Sequence, residues 1–523
     1  MKSVMKSQHD FSKAPQADIP RSNFNRSFGH KTTFDAGNLV PVFADEALPG
    51  DTFNVKPTMF LRLATPIHPI MDNLVVDIHF FAVPYRQLWD NFRKFCGEQT
   101  DPGDSTDYTI PQRTITNAAA AGTLEDYLGL PTANDTITAV PYNALYDRAY
   151  VHIYNEWYRD QNLIDSVTLD TSDAGGTTAN GRTLLKRGKR HDYFTSCLPW
   201  LQKGDAVSLP LGTEAPIFGD NMDFDGVHDT NNYAQVRDSA SASANLRRLA
   251  ADNTYVYGYN GTSGDGELKA DLSQATAATI NELRQAFQIQ KLLERDARSG
   301  TRYAEIVKSH FGVDFLDVTY RPEYLGGGSS NVNFHSVATT SESSGNTGDL
   351  GAFATSLVDT GGFVKSFTEH SIVLGIASVR ADLTYQQGIE RQFSRLTRYD
   401  HYWPALAHIG EQAVLNQEIF FDAAGDNDQT FGYQERWAEY RYKQSKITGL
   451  FRSTATGSLD PWHLSQEFAS LPALNQTFIE ESPPIDRIVQ TPTEPDFIAD
   501  MYFNFQAARP MPVYSVPGLI DHF

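Results

Sequence analysis

TFNVKPTMFLRLAT, residues 52–65, is a stretch in which every second residue is apolar. Phe53, Val55, Met59, Leu61 and Leu63 fall on one side of a period of two, and Asn54, Lys56, Thr58 and Arg62 fall on the other. That is the pattern of a strand with one face in a core and one in water. Pro57 cannot donate to a ladder, which predicts an edge strand or a bulge. NLVVDIHFFAVP (73–84) follows, with Leu74, Val76, Ile78 and Phe80 on one face and Val75, Asp77, His79 and Phe81 on the other, a more central strand. Two similar runs, SIVLGIASVRADLTY (371–385) and FIADMYFNFQ (497–506), lie hundreds of residues downstream. A sheet assembled from such distant segments is antiparallel and Greek-key-like rather than a chain of βαβ units.

Helical patterns sit between these strands. LYDRAYVHIYNEWYRDQNL (145–163) places Tyr146, Tyr150, Ile153 and Trp157 on one helical stripe. The 271–300 stretch offers Asp271 and Ser273 as N-caps and closes on Arg295 and Arg298 before Gly300. Its apolar residues are rotated around the axis, which predicts burial on more than one side. TRYAEIVKSHFG (301–312) reads as a shorter helix ending at Gly312. Residues 211–270 are dominated by Asp, Asn, Ser, Gly and Thr, carry nine acidic against four basic side chains, and read as an exposed acidic insertion loop. The Gly/Ser/Thr-rich tract 326–351 reads as a second loop. Residues 1–40 are polar, with six basic against three acidic side chains, and read as an extended, mobile basic arm.

Composition excludes whole classes of function. Among 523 residues, 40% are hydrophobic and 12% aromatic, enough to bury a substantial core. The net charge of −21 opposes a protein that coats nucleic acid by bulk neutralisation of phosphates, so any such contact must be a local patch. No apolar run approaches the ~20 residues needed to cross a bilayer. The N-terminus MKSVMKSQHDFSK lacks the apolar centre of a secretory signal, so a soluble protein made in a cytoplasm is expected. Cys96 and Cys197 cannot build a disulfide framework and read as free, mostly buried thiols.

Catalytic motifs do not emerge: there is no P-loop, nucleophile elbow, HExxH helix or paired CxxC. In DHYWPALAHIGEQ (400–412), Pro404 breaks the helix that would align Asp400, His401, His408 and Glu411 as metal ligands, which leaves structural or interface histidines as the favoured reading. NMDFDGVHDTNN (221–232) sets Asn221, Asp223 and Asp225 at the spacing that opens a calcium loop, but Asn232 stands where a bidentate Glu belongs. A divalent cation on those three residues is the one cofactor the sequence suggests, against an ordinary acidic surface loop. Two segments combine rings with cations. RTLLKRGKRHDYF (182–194) concentrates Arg182, Lys186, Arg187, Lys189 and Arg190 next to Tyr193 and Phe194. GYQERWAEYRYK (432–443) interleaves Tyr433, Arg436, Trp437, Tyr440, Arg441 and Tyr442. Rings stack on unpaired bases while guanidinium groups hold phosphates, but Trp, Tyr and Arg also anchor protein interfaces. Interface is the favoured reading for 432–443; for 182–190 the two readings stand level.

RSNFNRSFGHKTTFDAG (21–37), HFFAVPYRQLWDNF (79–92), IYNEWYRDQNL (153–163), KRGKRHDYFTSCLPWLQKGD (186–205), LLERDARSGTRYAEIV (292–307), GYQERWAEYRYK and RPMPVYSVPGLIDHF (509–523) together resemble the major capsid proteins of small single-stranded DNA phages. The branch they resemble most is the gokushoviruses of the microvirus family. The resemblance implies a mainly β fold, an eight-stranded antiparallel viral jelly-roll sandwich over 41–523 with long loop and helical insertions. It also implies self-assembly into an icosahedral T=1 shell around a circular single-stranded DNA genome, without enzymatic activity, in the cytoplasm of a bacterial host.

In that setting 211–270 is a surface protrusion at the threefold axes that meets a host receptor. Arg21, Arg26 and Lys31 of the arm, with the 182–190 cluster, face the genome; Trp157 joins the 432–443 residues at subunit contacts. Internal scaffolding, pilot and small basic DNA-packaging proteins are the expected partners, with no membrane insertion. A non-viral β-sandwich enzyme or carbohydrate-binding module is the alternative, and it lacks a convergent set of carboxylates or ligands.

Overall fold

Thr52–Leu63 forms one strand of the computed structural model, and Phe53, Val55, Met59, Leu61 and Leu63 are each 1% exposed or less. The structure describes residues 20–115, 121–131, 140–175, 184–207, 279–338, 340, 347–359, 361–423 and 425–514, and the backbone of six short strands between 217 and 270. The chain divides into two units, 1–201 with 301–523 and 202–300.

The larger unit contains β1 (Ser22–Asn25), β2 (Phe28–Phe34), β3 (Val40–Ala47), β4 (Thr52–Leu63), β5 (Leu74–Pro84), β6 (Glu323–Asn331), β7 (Asn333–Ala338), β8 (Leu350–Val358), β9 (Phe363–Ser366), β10 (Ser371–Ala381), β11 (Glu411–Leu415), β12 (Thr430–Glu435) and β13 (Phe497–Arg509). One antiparallel sheet runs β1-β13-β4-β8-β7, with β2 also on β13 and β9 also on β4. A second runs β6-β5-β10-β3. Rings close the space between them: Phe43 of β3 lies 5.4 and 5.5 Å from Phe503 and Phe505 of β13, and Phe80 of β5 lies 5.3 Å from Phe363 of β9. The result is a β-sandwich, with β5 central as its sequence predicts.

The four-stranded sheet is buried on its outer face as well. Phe81, Val83, Ile372, Leu374 and Ile376 pack in one cluster with Trp89 and with Tyr150 and Ile153 of the helix Leu145–Ile153. Double burial is why β5 and β10 read as near-continuous apolar runs, whereas β13, with one face in water, alternates strictly. The helix expected over 145–163 is shorter, passing into a π turn at Tyr154–Tyr158.

Pro57 does not mark an edge. β13 pairs along all of β4 with no shift in register, from Leu63↔Phe497 to Thr52↔Ala508. On the other side, β8 pairs with 59–62 and β9 with 52–55, so the ladder is already broken opposite Pro57. Gly362 fills that break at φ +115°, where an added Cβ would stand 2.3 Å from the Val55 carbonyl oxygen and 3.3 Å from Pro57 Cδ. Backbone strain and overlap add, so Gly362→Ala is expected to cost about 2–4 kcal/mol. Urea unfolding of the variant checks this; an unchanged midpoint would show that the link between β8 and β9 can move aside.

Further expectations change. Residues 22–34, expected within a mobile arm, are strands: β2 pairs with β13 from Phe28↔Phe503 to Phe34↔Phe497, and Phe34 is fully buried. Residues 1–19 lie outside the described part. The tract 326–351, expected as a loop, supplies most of β6, all of β7 and the start of β8. Its glycines permit close approach, since a Cβ on Gly327 would meet the Ile78 carbonyl oxygen at 2.4 Å.

In the smaller unit, 211–270 contains short antiparallel strands rather than loop alone; Gln235–Asp238 pairs with Leu246–Ala251, and Ile217–Gly219 with Leu268–Ala270. The long helix begins at Ile280, where Thr279 and Glu282 form a capping box, while Asp271 and Ser273 lie outside the described residues. Only Ala297 of that helix is buried, and Ile280, Phe287, Ile289 and Leu292 are exposed, so it is not buried on several sides. The following helix, Tyr303–Phe311, does end at Gly312, in left-handed conformation. Cys197 is buried as expected, and Cys96 is exposed. Among the described residues, no helix is long and apolar enough to cross a membrane.

Candidate assembly and nucleic-acid surfaces

Two cations of the basic cluster at 186–190, Arg187 and Lys189, are turned inward. Its backbone is stitched on both sides: Arg187 N–H donates to the Gly37 carbonyl at 2.8 Å, Glu481 N–H to the Arg187 carbonyl at 2.8 Å, and Lys189 N–H to the Ile479 carbonyl at 2.8 Å. Arg187 Nη1 donates to Asp77 Oδ2 at 2.6 Å and to Ser378 Oγ at 2.7 Å, and Arg380 Nη2 reaches the same Asp77 oxygen at 3.0 Å. Tyr158 lies under the Arg187 guanidinium and its hydroxyl meets His79 Nδ1 at 2.9 Å. Burial, reinforced by Arg187, holds the His79 pKa down at about 4, so that ring is neutral near pH 7.

Lys189 donates to Gln466 Oε1 at 2.8 Å and the Phe478 carbonyl, and burial lowers its pKa to about 8. Arg190 pairs with Asp382 at 2.9 Å, and Lys186 donates to Ser482 Oγ at 2.9 Å. Of the arm residues, Arg26 pairs with Asp45, Arg21 holds the Gly50 carbonyl, and exposed Lys31 approaches Asp500 at 3.4 Å. Arg182 lies outside the described residues. Arg187 and Lys189 are therefore structural groups, unavailable to phosphates, because each is desolvated among its own chain's acceptors.

Two other cations point to water. Lys56 and Arg62 lie on the outer face of the seven-stranded sheet with no ion pair among the described residues. Exposed Phe60 shares their strand, and exposed Tyr502 lies opposite Thr58 on β13. The alternation at 52–65 already put these cations outside; composition alone gave no reason to single them out.

The 432–443 segment begins in β12 of the hairpin β11–β12, where Tyr433 pairs with Ala413, and continues beyond it. Trp437 has φ +70°, the sole non-glycine positive φ among the described residues, and this turns its ring into its own chain. The ring is 3% exposed, and Trp437 Nε1 donates to the Leu406 carbonyl at 2.9 Å. Around it stand the Arg436 guanidinium at 4.7 Å, Tyr402 at 5.7 Å and Tyr440 at 6.0 Å. Trp157 is likewise engaged inside the chain: Nε1 donates to the Pro322 carbonyl at 2.9 Å and Arg321 covers its face at 4.3 Å. Both tryptophans, expected at subunit contacts, are held within one copy; Tyr440, Arg441 and Tyr442 remain exposed.

Beside them lies a surface that the sequence did not disclose. Phe393, Leu396, Tyr399, Tyr402, Trp403 and Ile409 are all exposed, Leu396 by 89%. They come from a stretch built of short turns, with no period of 2 or 3.6 to flag them. A cleft of about 480 Å³ opens here, lined by Phe393, Leu396, Arg395, Arg436, Trp437 and Asp428 among others. Arg391 and Arg395 are neutralised by Glu418 and Glu439 at 3.0 and 2.9 Å.

No group of three or more His, Cys, Asp or Glu able to hold a metal occurs among the described residues. Asp400 instead caps the Leu396 and Thr397 N–H groups. Of the suggested cation loop, Asn221 and Asp225 lie outside the described residues and only the backbone of Asp223 is described.

A sequence profile described as Capsid protein (F protein) matches residues 12–519. The chain is 46% identical to "Capsid protein VP1" of Bdellovibrio phage phiMH2K, covering 99% of this chain and 98% of that one. It is 43% identical to "Capsid protein VP1" of Chlamydia phage 1, with the same coverage, and 36% identical to "Capsid protein VP1" of Spiroplasma virus 4, covering 98% and 97%. A β-sandwich whose exposed rings and cations lie on broad surfaces fits these matches: the chain belongs to the Capsid protein (F protein) family of phages, structural proteins of the virion rather than enzymes.

Proposed function

We propose that this chain is the major capsid protein of a microvirus of the gokushovirus branch, and that its copies close into a small icosahedral T=1 shell around a circular single-stranded DNA genome. The observation that carries the reading is strand order. Taken along the chain, β2, β3, β4, β5, β6, β8 with β9, β10 and β13 make eight positions, arranged β2-β13-β4-β8/β9 in one sheet and β6-β5-β10-β3 in the other. That order supports reading the sandwich as an eight-stranded jelly roll of two Greek keys, the fold used by viral shells. The long insertions then fall at 85–322 and 382–496, where they can meet neighbours without disturbing the sandwich.

A copy with net charge −21 does not neutralise a genome, so a small basic packaging protein or added cations complete the particle, alongside internal scaffolding and pilot proteins. Local genome contact is best supported on the outer face of the seven-stranded sheet, where Lys56, Arg62 and Lys31 accompany Phe60 and Tyr502. The 211–270 insertion is the surface that meets a host receptor, at the threefold axes. Expression in a bacterial host with the remaining phage genes tests the reading. Uniform closed particles containing nuclease-protected single-stranded DNA are expected in a sedimentation gradient. A chain that stays monomeric under every such condition would refute it.

A further inference from the structure

The cleft beside Trp437 contains a guanidinium without a counter-ion among the described residues. Arg391 and Arg395 have carboxylate partners, and Asp400 is spent on two backbone N–H groups. Arg436 has no ion pair among the described residues; its Cζ rests over the Trp437 ring at 4.7 Å and its Nε is buried without an acceptor. Asp428 also lines the cleft and has no cation partner among the described residues. The walls are apolar and open to water: Phe393 is 69% exposed and Leu396 89%. Exposed Tyr440 and Tyr402 continue the surface, linked through Arg395, which covers Tyr440 at 4.0 Å, and through Trp437.

A lone guanidinium fixed on an aromatic plane between apolar walls suits a carboxylate delivered by an apolar segment. A segment docked there displaces water from the pair, and a planar fork meets two oxygens at once. We propose that this cleft is a socket for an Asp- or Glu-bearing segment of a second copy of the chain. Arg436 takes the carboxylate, Phe393 and Leu396 cover it, and Asp428 accepts a cation from the same segment. The proposal rests on the self-assembly reading above. The second copy is the occupant because every copy in a closed shell is surrounded by copies, and this chain, with 64 acidic against 43 basic side chains, is rich in the missing charge. Rings and Arg around a desolvated centre are also the composition of interface hot spots.

Two substitutions and one cross-link test it in the bacterial host that yields wild-type particles. Arg436→Gln and Leu396→Asp are each expected to cut particle yield about tenfold or more. Leu396→Asp is expected to leave the monomer's unfolding midpoint unchanged, because the wild-type side chain touches little of its own chain. A photo-reactive phenylalanine analogue in place of Leu396 is expected to cross-link, inside particles, to a peptide of another copy that contains Asp or Glu. Wild-type particle yield in both variants would overturn the socket, as would cross-links only to DNA or to a different protein, or none at all. Failure of the wild-type chain itself to form particles would be a separate result, against self-assembly.

Discussion

Asp77→Ala lowers the stability of the folded chain by about 3–5 kcal/mol, because it strands two guanidinium groups in the interior. Asp77 is 5% exposed and accepts from both Arg187 and Arg380 through one oxygen. Neighbouring His79 is held neutral and adds no charge of its own near pH 7. Without the carboxylate, Arg187 and Arg380 lose the counter-ion to which both are hydrogen-bonded at that point of the four-stranded sheet. Arg187→Ala is also destabilising, yet it leaves Asp77 its bond from Arg380. Urea unfolding of the purified chain distinguishes this from a genome-binding role for the 186–190 cluster. Full stability of Asp77→Ala and Arg187→Ala, combined with particles that hold less DNA, would return Arg187 to the genome and sink the structural assignment.

Phe503→Ala costs a similar amount, about 3–5 kcal/mol, by opening a cavity where the two sheets meet. The ring is wholly buried and lies 5.1 Å from Phe28, 5.4 Å from Phe43 and 6.5 Å from Phe80, so it touches side chains from β2, β3 and β5. All three strands are remote in sequence from the strand that carries Phe503, and backbone pairing prevents them from collapsing into the space. Phe503→Leu is expected to lose less, since it leaves a smaller void. Equal midpoints for wild type and Phe503→Ala would mean that the sandwich repacks freely, contrary to a core locked by its ladders.

Much of the sandwich was legible in the residues. Period-two alternation at 52–63 and 497–509, and the continuous apolar runs at 74–84 and 371–381, are direct imprints of one-sided and two-sided burial, which act on each strand locally. Glycine-rich 326–331 misled for a physical reason: its side-chain-free backbone serves a close crossing near Ile78, and local composition carries no trace of the element that crosses. Pro57 misled in the same way, since what makes it tolerable is the break between β8 and β9, hundreds of residues away.

The candidate surfaces were less legible. Cations at 186–190 and rings at 432–443 have the same sequence signature whether they face a phosphate, a neighbour or their own interior. The acceptors that settle the matter, Asp77 and Gln466 for the first and Leu406 for the second, come from remote segments. The sequence by itself determined the β class, the main core strands and the family, because alternation, burial and ordered motifs are written residue by residue. Tertiary structure alone decided which charges are spent and which rings are free, because desolvation and pairing depend on what the rest of the chain brings within a few ångströms.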